Sequence, residues 1–204
     1  MRNLDKLHKR TIQIYNNHAH GWDEHRPRVL FEKQWLDKFI GLLPTRAQIL
    51  DVGCGAGDPI AKYFLEQGFS VTGVDGSANM IEICSSRFPE ANWIKTDMRE
   101  LALGSTFDGI ISWDASFHLN QEEQRQVLLT FANHLSDTGV LLLTIGHEAG
   151  EVTGTVEGEQ VYHSILEPDE YVSILGSLGF DDIEIELEDE SCGFHSLLLA
   201  KRNG

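Results

Sequence analysis

A glycine-rich turn after a short apolar segment constrains the fold of this chain more than any other feature. Residues 49–59 read ILDVGCGAGDP, so that an aspartate and then glycines at positions 53, 55 and 57 follow the apolar residues. A buried strand has to end in a sharp turn here, because glycine lets the backbone bend and approach a ligand closely. A second apolar segment, 70–74, ends at Asp75, where an acid can accept both hydroxyls of a ribose. Strand, glycine turn, helix, strand and acid together predict a nucleoside-binding half-fold.

The spacing of the glycines indicates the kind of nucleoside. A dinucleotide fingerprint reads G-x-G-x-x-G and brings a pyrophosphate to a helix N-terminus, whereas this chain has G-x-G-x-G. Asp58 suits the N-cap of the following helix and Pro59 its first position. A carboxylate there competes with a diphosphate for the positive end of the helix, and Asp51 adds a charge suited to an ammonium group. These residues favour a ligand with ribose, adenine and a cationic amino-acid tail.

Five segments, in chain order, resemble the motifs of class I S-adenosylmethionine-dependent methyltransferases of the small-molecule type. They are D-V-G-C-G-A-G at 51–57, G-V-D-G-S at 73–77, T-D-M at 96–98, F-D-G-I-I-S-W-D at 107–114 and L-S-D-T-G-V-L-L-L-T at 135–144. The resemblance covers nearly all of the chain. It implies S-adenosylmethionine as the cofactor and methyl transfer as the activity.

The resemblance also implies which residues bind the methyl donor. Asp75 stands in the ribose-binding place, and Asp97 in the place of the acid that meets the adenine amine. Tyr15, Trp22 and Arg28 stand where similar small methyltransferases fold a tyrosine, an aromatic residue and an arginine over the methionine end. The whole expected donor-binding set is Tyr15, Trp22, Arg28, Asp51, Gly53, Gly55, Asp75, Gly76, Ser77, Met80, Asp97, Met98 and Trp113.

Alternating apolar segments and amphipathic helices predict an α/β fold. Strands are expected at 48–52, 70–75, 92–96, 107–113 and 139–145, with helices at 59–67, 78–87 and 121–135. Such alternation predicts a parallel sheet with helices on both faces. Residues 180–187 and 194–201 are expected to close the sheet as an antiparallel pair at its far edge. The resemblance implies a Rossmann-like, doubly wound sheet of seven strands in the order 3-2-1-4-5-7-6, with strand 7 antiparallel.

The remaining segments divide a single predicted domain, 1–204, into four parts. Residues 1–46 form an N-terminal helical cap, in which 4–14 is an amphipathic helix, 15–26 a loop or broken helix, and Pro27 opens the next helix. The donor-binding core follows at 47–146. Residues 147–166 are a glycine-rich insertion, expected to be a surface hairpin or part of an acceptor pocket, and 167–204 hold a helix and the edge strands.

The chemistry is expected beyond the carboxyl ends of strands one and four, where the strand order switches. Donor and acceptor should meet over Trp113, Asp114, Phe117 and His118. His118 is the candidate general base, because imidazole titrates near neutral pH, and a structural histidine is the alternative. Asp114 would orient a cationic acceptor or the amino-acid end of the donor, or else serve as a turn acid. Trp113 would cover the adenine or fill the core.

Composition limits the partners and the compartment. The net charge is −16, from 32 acids against 16 bases, which argues against a nucleic acid or an anionic membrane as a partner. No apolar run is long enough to span a membrane, and the N-terminus does not resemble a signal peptide. Three cysteines without metal spacing are expected to be free thiols in a reducing cytoplasm. His18, His20 and His25 match no usual zinc pattern, so no metal is expected.

These features predict methyl transfer to an oxygen or nitrogen of a small-molecule acceptor by in-line displacement. The N-P-P-Y type motif, which the family uses for exocyclic and amide nitrogens, is absent, since 112–115 read SWDA. One alternative is a protein that binds S-adenosylmethionine without catalysis, and another is an NAD-dependent oxidoreductase, which the missing x-x-G spacing disfavours. The sequence leaves open the acceptor, the attacked atom, the use of a base, and whether the protein is a monomer or a homodimer.

Overall fold

Helices and strands alternate along the chain. The structure is a computed structural model that describes residues 3–204. Its α-helices are α1 (Asn3–His8), α2 (Thr11–His25), α3 (Lys33–Gly41), α4 (Ile60–Glu66), α5 (Ala78–Arg87), α6 (Gln121–His134) and α7 (Pro168–Ser177). Its strands are β1 (Gln48–Val52), β2 (Ser70–Asp75), β3 (Asn92–Lys95), β4 (Phe107–Ser112), β5 (Leu135–Ile145), β6 (Gly150–Val156), β7 (Glu159–Ile165), β8 (Asp182–Asp189) and β9 (His195–Lys201). Short 3-10 helices lie at Met98–Glu100, Ser116–His118 and Glu190–Cys192.

Seven strands form one sheet in the order β3-β2-β1-β4-β5-β9-β8. The first five run parallel, and β9 pairs antiparallel with both β5 and β8. The predicted order and the antiparallel seventh strand are therefore confirmed, with β8 and β9 as the sixth and seventh strands of the prediction. The crossover from β3 to β4 places β1 and β4 side by side, with Ile49 opposite Gly109. This pairing creates the switch in strand order at which open α/β sheets bind ligands.

The sheet is buried on both faces, which explains why its strands read as continuous apolar runs. Alternate residues of β1 point to opposite faces, so Ile49 belongs to the cluster around Trp35, Leu36, Phe39 and Phe64 from α3 and α4. Leu50 belongs to the other cluster, which α6 and α7 complete. Both residues have 0% exposure. Helices on both faces confirm the predicted doubly wound arrangement.

The helical part before β1 differs from the prediction in three places. Residues 15–26, expected to be a loop or broken helix, continue α2 as far as His25, while 4–14 is divided between α1 and α2. The polar residues of this stretch find distant partners: His18 Nε2 lies 2.8 Å from Glu159, and Asn16 Oδ1 accepts from the Ser77 hydroxyl at 3.1 Å. Tertiary contacts thus support a helix that the apolar pattern does not mark. The helix expected from Pro27 begins only at Lys33.

The start of α4 also differs from the prediction. Pro59 is the N-cap residue, the helix begins at Ile60, and no side chain caps it. The carboxylate of Asp58, expected to cap this helix, lies instead 3.8 Å from both Arg28 Nη1 and Lys62 Nζ. Its charge is therefore balanced by cations rather than by the backbone N–H groups of the helix.

Strands β6 and β7 form a separate two-stranded hairpin within the predicted insertion 147–166. The hairpin packs on α1 and α2, and the side chains of Ile14, Val156 and Val161 form a small apolar cluster between α2 and the hairpin. It therefore covers part of the molecule rather than projecting from it. None of the helices in residues 3–204 is long and apolar enough to cross a membrane.

Candidate active site

A cavity of about 420 Å³ lies at the carboxyl ends of β1, β2 and β4, with α2 and the β6–β7 hairpin over it. This is where an open parallel sheet is expected to bind its ligand. Most of the predicted site residues line it: Tyr15, Trp22, Asp51, Gly53, Gly55, Asp75, Gly76, Met80, Asp97, Met98, Trp113, Asp114 and His118, with Phe117 beside them. Arg28 and Ser77 are the two predicted residues that do not line the cavity.

The glycine turn after β1 forms the floor of the cavity. Gly53 has a φ of +76°, and a Cβ there would lie 2.2 Å from the Cβ of Ala115. A Cβ on Gly55 would lie 3.1 Å from the ring of Trp22. The backbone N–H of Gly53 donates to the carbonyl of Val74 at 2.8 Å, which ties the turn to β2. Residues without side chains are thus needed to bring β1, β4 and α2 together at this point.

Asp75 lies at the end of β2 and shapes both neighbouring turns. Its Oδ2 accepts from the backbone N–H of Gly55 at 3.0 Å, and its Oδ1 from that of Ser77 at 2.7 Å. Burial raises the pKa of Asp75, and these two hydrogen bonds oppose the rise. A carboxylate has about four acceptor positions, so two stay open for ligand hydroxyls. Ser77 itself caps α5, where its Oγ accepts from Met80 N at 3.2 Å.

Asp97 lies next to Met98 in the turn that follows β3. Arg99 donates to both of its carboxylate oxygens, from Nε at 2.9 and 3.1 Å and from Nη2 at 2.5 Å. Burial would raise the pKa of Asp97, but the hydrogen bonds from Arg99 outweigh it and hold that pKa below its usual value. Asp97 is therefore a charged acceptor at neutral pH. Arg99, which also lines the cavity, was not predicted from the sequence.

Asp51 is the most deeply buried acid of the cavity, with 3% exposure. Burial and the negative charge of Asp75 raise its pKa to about 7, and the positive charge of Arg26 opposes this rise. A carboxylate with such a pKa exists in both protonation states near neutral pH. A cation bound beside it would stabilise the ionised form.

The arginine at the cavity is Arg26 rather than the predicted Arg28. Arg28 donates to the carbonyl and Oδ1 of Asp23, at 2.5 and 2.9 Å, and to the carbonyl of Asp58 at 3.0 Å. Arg26 lies over the ring of Trp22, at 5.1 Å from its centroid, and its Nη2 is 3.3 Å from Oε1 of the fully buried Glu32. Trp22 lies in the last turn of α2, and Arg26 is the C-cap residue four positions later, so the two side chains lie on the same side of the helix end.

His118 is hydrogen-bonded through both ring nitrogens. Its Nδ1 lies 2.9 Å from the carbonyl oxygen of Tyr162, which can only accept, so the proton is assigned to Nδ1. Nε2 then accepts from the hydroxyl of Tyr15 at 2.9 Å. Burial, with a contribution from the neighbouring His163, lowers the pKa of His118 to about 4, although the Tyr162 carbonyl and Asp114 act in the opposite direction. These contacts argue against the predicted use of His118 as a free base.

Asp114 follows β4 with a φ of +50°, and its carboxylate contacts the histidine that begins β9. His195 Nε2 lies 3.1 and 3.2 Å from the two carboxylate oxygens, and its Nδ1 lies 2.7 Å from the carbonyl of Cys192. Both partners are acceptors, so the imidazolium form satisfies both contacts. The hydrogen bond that His195 donates to Asp114 is the main cause that raises the pKa of His195. The ring lies between Phe31 and Trp113, at 5.5 Å from each.

Trp113 reaches the cavity from the core. It has 5% exposure and belongs to the apolar cluster on the α3 side of the sheet. Its Nε1 makes no hydrogen bond within residues 3–204. Packing against the apolar cluster supports the core-filling alternative for this residue.

The three histidines of α2 show no metal-binding arrangement. His18 pairs with Glu159 and His25 with Glu157, at 2.8 and 3.0 Å, so these two contribute to the contact between α2 and the hairpin. Over the part of the chain that is described, no group of three or more histidine, cysteine, aspartate or glutamate residues could hold a metal ion.

The part of the chain that forms the fold's parallel core matches a known family of domains. A family model described as a methyltransferase domain matches residues 49–139, which run from the glycine turn to the start of β5. Over this stretch, which carries the glycine turn and the ends of β1, β2 and β4, the chain is similar to methyltransferase domains.

Curated methyltransferases resemble the chain in sequence, and a solved methyltransferase structure resembles it in fold. A ubiquinone biosynthesis O-methyltransferase from Rickettsia canadensis is 26% identical over 158 residues, which cover 70% of this chain and 66% of that protein. A dTDP-4-amino-2,3,4,6-tetradeoxy-D-glucose N,N-dimethyltransferase from Saccharopolyspora spinosa is 33% identical over 138 residues, 61% of this chain and 55% of that one. The chain thus aligns with less than two thirds of the length of either relative. The S-adenosylmethionine-bound amino pentose methyltransferase CalS10 from Micromonospora echinaspora has the same fold, with a TM-score of 0.70, 20% identity and coverage of 94% and 97% of the two chains.

Proposed function

We propose that the protein transfers the methyl group of S-adenosylmethionine to an oxygen or nitrogen of a small-molecule acceptor. The observation that carries the proposal is the placement of Asp75 and Asp51 in one cavity, on either side of the glycine turn. Asp75 offers acceptors for a ribose, and Asp51 offers a charge for an ammonium group. The cavity holds about 420 Å³, within the range of small-molecule sites.

The donor would lie across the carboxyl ends of β1 and β2. Its ribose would bind Asp75, and its adenine would lie beside Asp97 and Met98. Its methionine end would extend over the glycine turn towards Asp51 and Arg26. Arg26 takes the place given to Arg28 by the sequence, since a guanidinium in the cavity can bind the methionyl carboxylate through two hydrogen bonds.

The rest of the cavity would bind the acceptor. Phe117, His118, Val156, Val161 and His163 line this end and are mostly aromatic or apolar. Asp114 faces it and supplies a negative charge, which suits a neutral or cationic acceptor better than an anionic one. The similarity to both an O-methyltransferase and an amino-sugar N,N-dimethyltransferase supports a small molecule and leaves both attacking atoms in the proposal.

Methyl transfer from a sulfonium is a direct displacement. A lone pair of the acceptor attacks the methyl carbon, the C–S bond breaks, and the donor becomes a neutral thioether. The protein has to align the two reactants and exclude water. Helix α2 and the β6–β7 hairpin, which cover the cavity, would align the reactants and exclude water. We also propose that the chain is a single domain, with a helical cap at 1–46, a donor-binding core at 47–146, an insertion at 147–166 and a C-terminal part at 167–204.

Calorimetry with the demethylated donor, S-adenosylhomocysteine, tests the proposal. We expect binding to the native protein and a rise of its unfolding temperature. Asp75→Asn should weaken that binding at least about tenfold, because a hydrogen bond to a charged group contributes about 1.5–3 kcal/mol. Asp137→Asn, at an exposed position at the start of β5, is the matched control. Stabilisation by NAD but not by S-adenosylhomocysteine would contradict the proposal.

A further inference from the structure

We propose that His163, on strand β7 of the hairpin, is the general base that takes the proton from the attacking atom of the acceptor. The proposal rests on the proposed methyl transfer and adds a catalytic residue to it. It applies to acceptors that carry both a lone pair and a proton on the attacking atom, as hydroxyl groups and neutral primary or secondary amino groups do.

His8, His118 and His163 line the cavity, and His195 contacts Asp114 beside it. The hydrogen bonds of these four histidines distinguish them. His118 uses both ring nitrogens, on Tyr15 and on the Tyr162 carbonyl. His195 also uses both, on Asp114 and on the Cys192 carbonyl. His163 lines the cavity, and across residues 3–204 neither of its ring nitrogens makes a hydrogen bond. His8 pairs its Nε2 with Glu123, so His163 is the one of the four with both ring nitrogens free of hydrogen bonds across residues 3–204.

The ring of His163 is held in place by packing alone. Its centroid lies 4.6 Å from that of Phe117 and 4.8 Å from that of His118, with edge-to-face geometry in both pairs. On the neighbouring strand, Gly154 provides the space for the ring, because a Cβ there would lie 2.4 Å from Cε1 of His163. A glycine inside a strand marks such a close approach. The imidazole is thus fixed in position while its nitrogens stay free.

The charges around His163 suit a base. Burial lowers its pKa, so the ring is neutral at neutral pH and can accept a proton. Asp114, beyond the end of β4, acts in the opposite direction and stabilises the imidazolium once it forms. His118, from the neighbouring 3-10 helix, is neutral, and Tyr15 from α2 keeps its proton because burial raises the pKa of its hydroxyl. Asp114 is in turn held by His195.

The proposed step conserves atoms and charge. A lone pair on the oxygen or nitrogen of the acceptor forms a bond to the methyl carbon, and the C–S bond electrons return to sulfur. The proton of the attacking atom passes to a ring nitrogen of His163. The positive charge of the sulfonium is thereby replaced by that of the imidazolium, which Asp114 stabilises and which later loses its proton to water.

Labelling with diethyl pyrocarbonate tests whether the nitrogens of His163 are available, without any acceptor. The protein is treated at pH 7 in the presence of S-adenosylhomocysteine, and the modified histidines are identified by mass spectrometry. We expect His163 to react faster than His118 and His195, whose nitrogens are occupied. Protection of His163 at the level of His118 would overturn the proposal.

Turnover tests the base itself. Phenols, catechols and amino sugars are offered with a methyl-labelled donor, and the best acceptor is used for the variants. His163→Gln should lower kcat about a hundredfold, the lower range for general-base catalysis. In the native protein kcat/KM should rise with pH around a midpoint below 6.5, and the variant should lose this rise. Imidazole added to His163→Ala should restore part of the activity, which a purely structural role would not allow. His147→Gln, at an exposed position before the hairpin, is the control.

The outcomes separate this proposal from the proposed function. If the native protein does not bind S-adenosylhomocysteine, or turns over no acceptor, the result counts against methyl transfer, on which the proposed function and the role of His163 both depend. Normal donor binding by His163→Gln, with kcat within about twofold of the native value, overturns the base alone. A variant that fails to bind the donor is replaced by His163→Asn, judged by the same pH profile.

Discussion

His195 and Asp114 connect the start of β9 to the cavity through a pair of contacts, 3.1 and 3.2 Å long, between the imidazole Nε2 and the two carboxylate oxygens. The residues are 81 positions apart and lie at the start of β9 and just after β4. The pair fixes the Asp114 carboxylate at the acceptor end. The other ring nitrogen of His195, Nδ1, donates to the carbonyl of Cys192 at 2.7 Å.

Asp114→Asn should lower the pKa of His195 and make the stability less dependent on pH. The folded-state pKa of His195 is raised, so the stability that the pair contributes is complete below the ordinary value of 6.5 and is lost as the pH rises through the raised pKa. The free energy of unfolding should therefore differ most between the variant and the native protein at the acidic end of the range from about pH 5.5 to 9. Urea unfolding measures this difference. An equal difference at all pH values would mean that His195 stays neutral.

Arg26→Lys should weaken donor binding, whereas Arg28→Lys should not. Only the first of these side chains lines the cavity, and lysine keeps the charge but loses the two-pronged geometry. The loss of one hydrogen bond to a carboxylate corresponds to about a tenfold change in the affinity for S-adenosylhomocysteine. Calorimetry on both variants gives the comparison. The reverse ranking would restore Arg28 to the role that the sequence assigned.

Donor binding should release protons near neutral pH. The pKa of Asp51 is about 7 in the free protein, so a bound ammonium group would convert the protonated fraction to carboxylate. The affinity for S-adenosylhomocysteine should rise with pH below about 7.5, before its own α-amino group, with a pKa near 8, loses its charge. Calorimetry in buffers of different ionisation enthalpy counts the protons. Asp51→Asn should abolish the release, and an unchanged release would exclude Asp51 as its source.

Gly53→Ala should destabilise the protein, and Gly41→Ala should not. The new Cβ at position 53 would lie 2.2 Å from Ala115 at a φ of +76°, whereas the Cβ at position 41 meets no atom within 4 Å. Overpacking costs about 1–3 kcal/mol, and the left-handed backbone adds about 1–2 kcal/mol. Thermal unfolding compares the two variants. Equal unfolding temperatures would show that the turn relaxes more freely than its packing indicates.

The parallel core was predictable because its physics is local. Strands buried on both faces read as apolar runs, and the glycines at 53 and 55 mark a turn that no other residue fits. The ends of β1, β2 and β4 then bring Asp51, Asp75 and Asp114 together without further information.

The cover and the charge pairs of the cavity could not be predicted, because their partners are far apart in the chain. The helix α2 depends on contacts such as His18 with Glu159, 141 residues away. The sequence predicts a loop or broken helix at 15–26, and such a segment gives no indication that Trp22 and Arg26 lie close together. His195 carries no local signal at all, since its neighbours Phe31, Trp113 and Asp114 come from other elements.

The hairpin β6–β7 has no strand pairing with the main sheet, although it covers the cavity together with α2. Side chains of the hairpin line the cavity, and changes to them leave the pairing of the main sheet intact. We expect the hairpin side chains that face the cavity, such as His163, to set acceptor preference, whereas Glu157 and Glu159, which pair with α2, should be kept for donor binding.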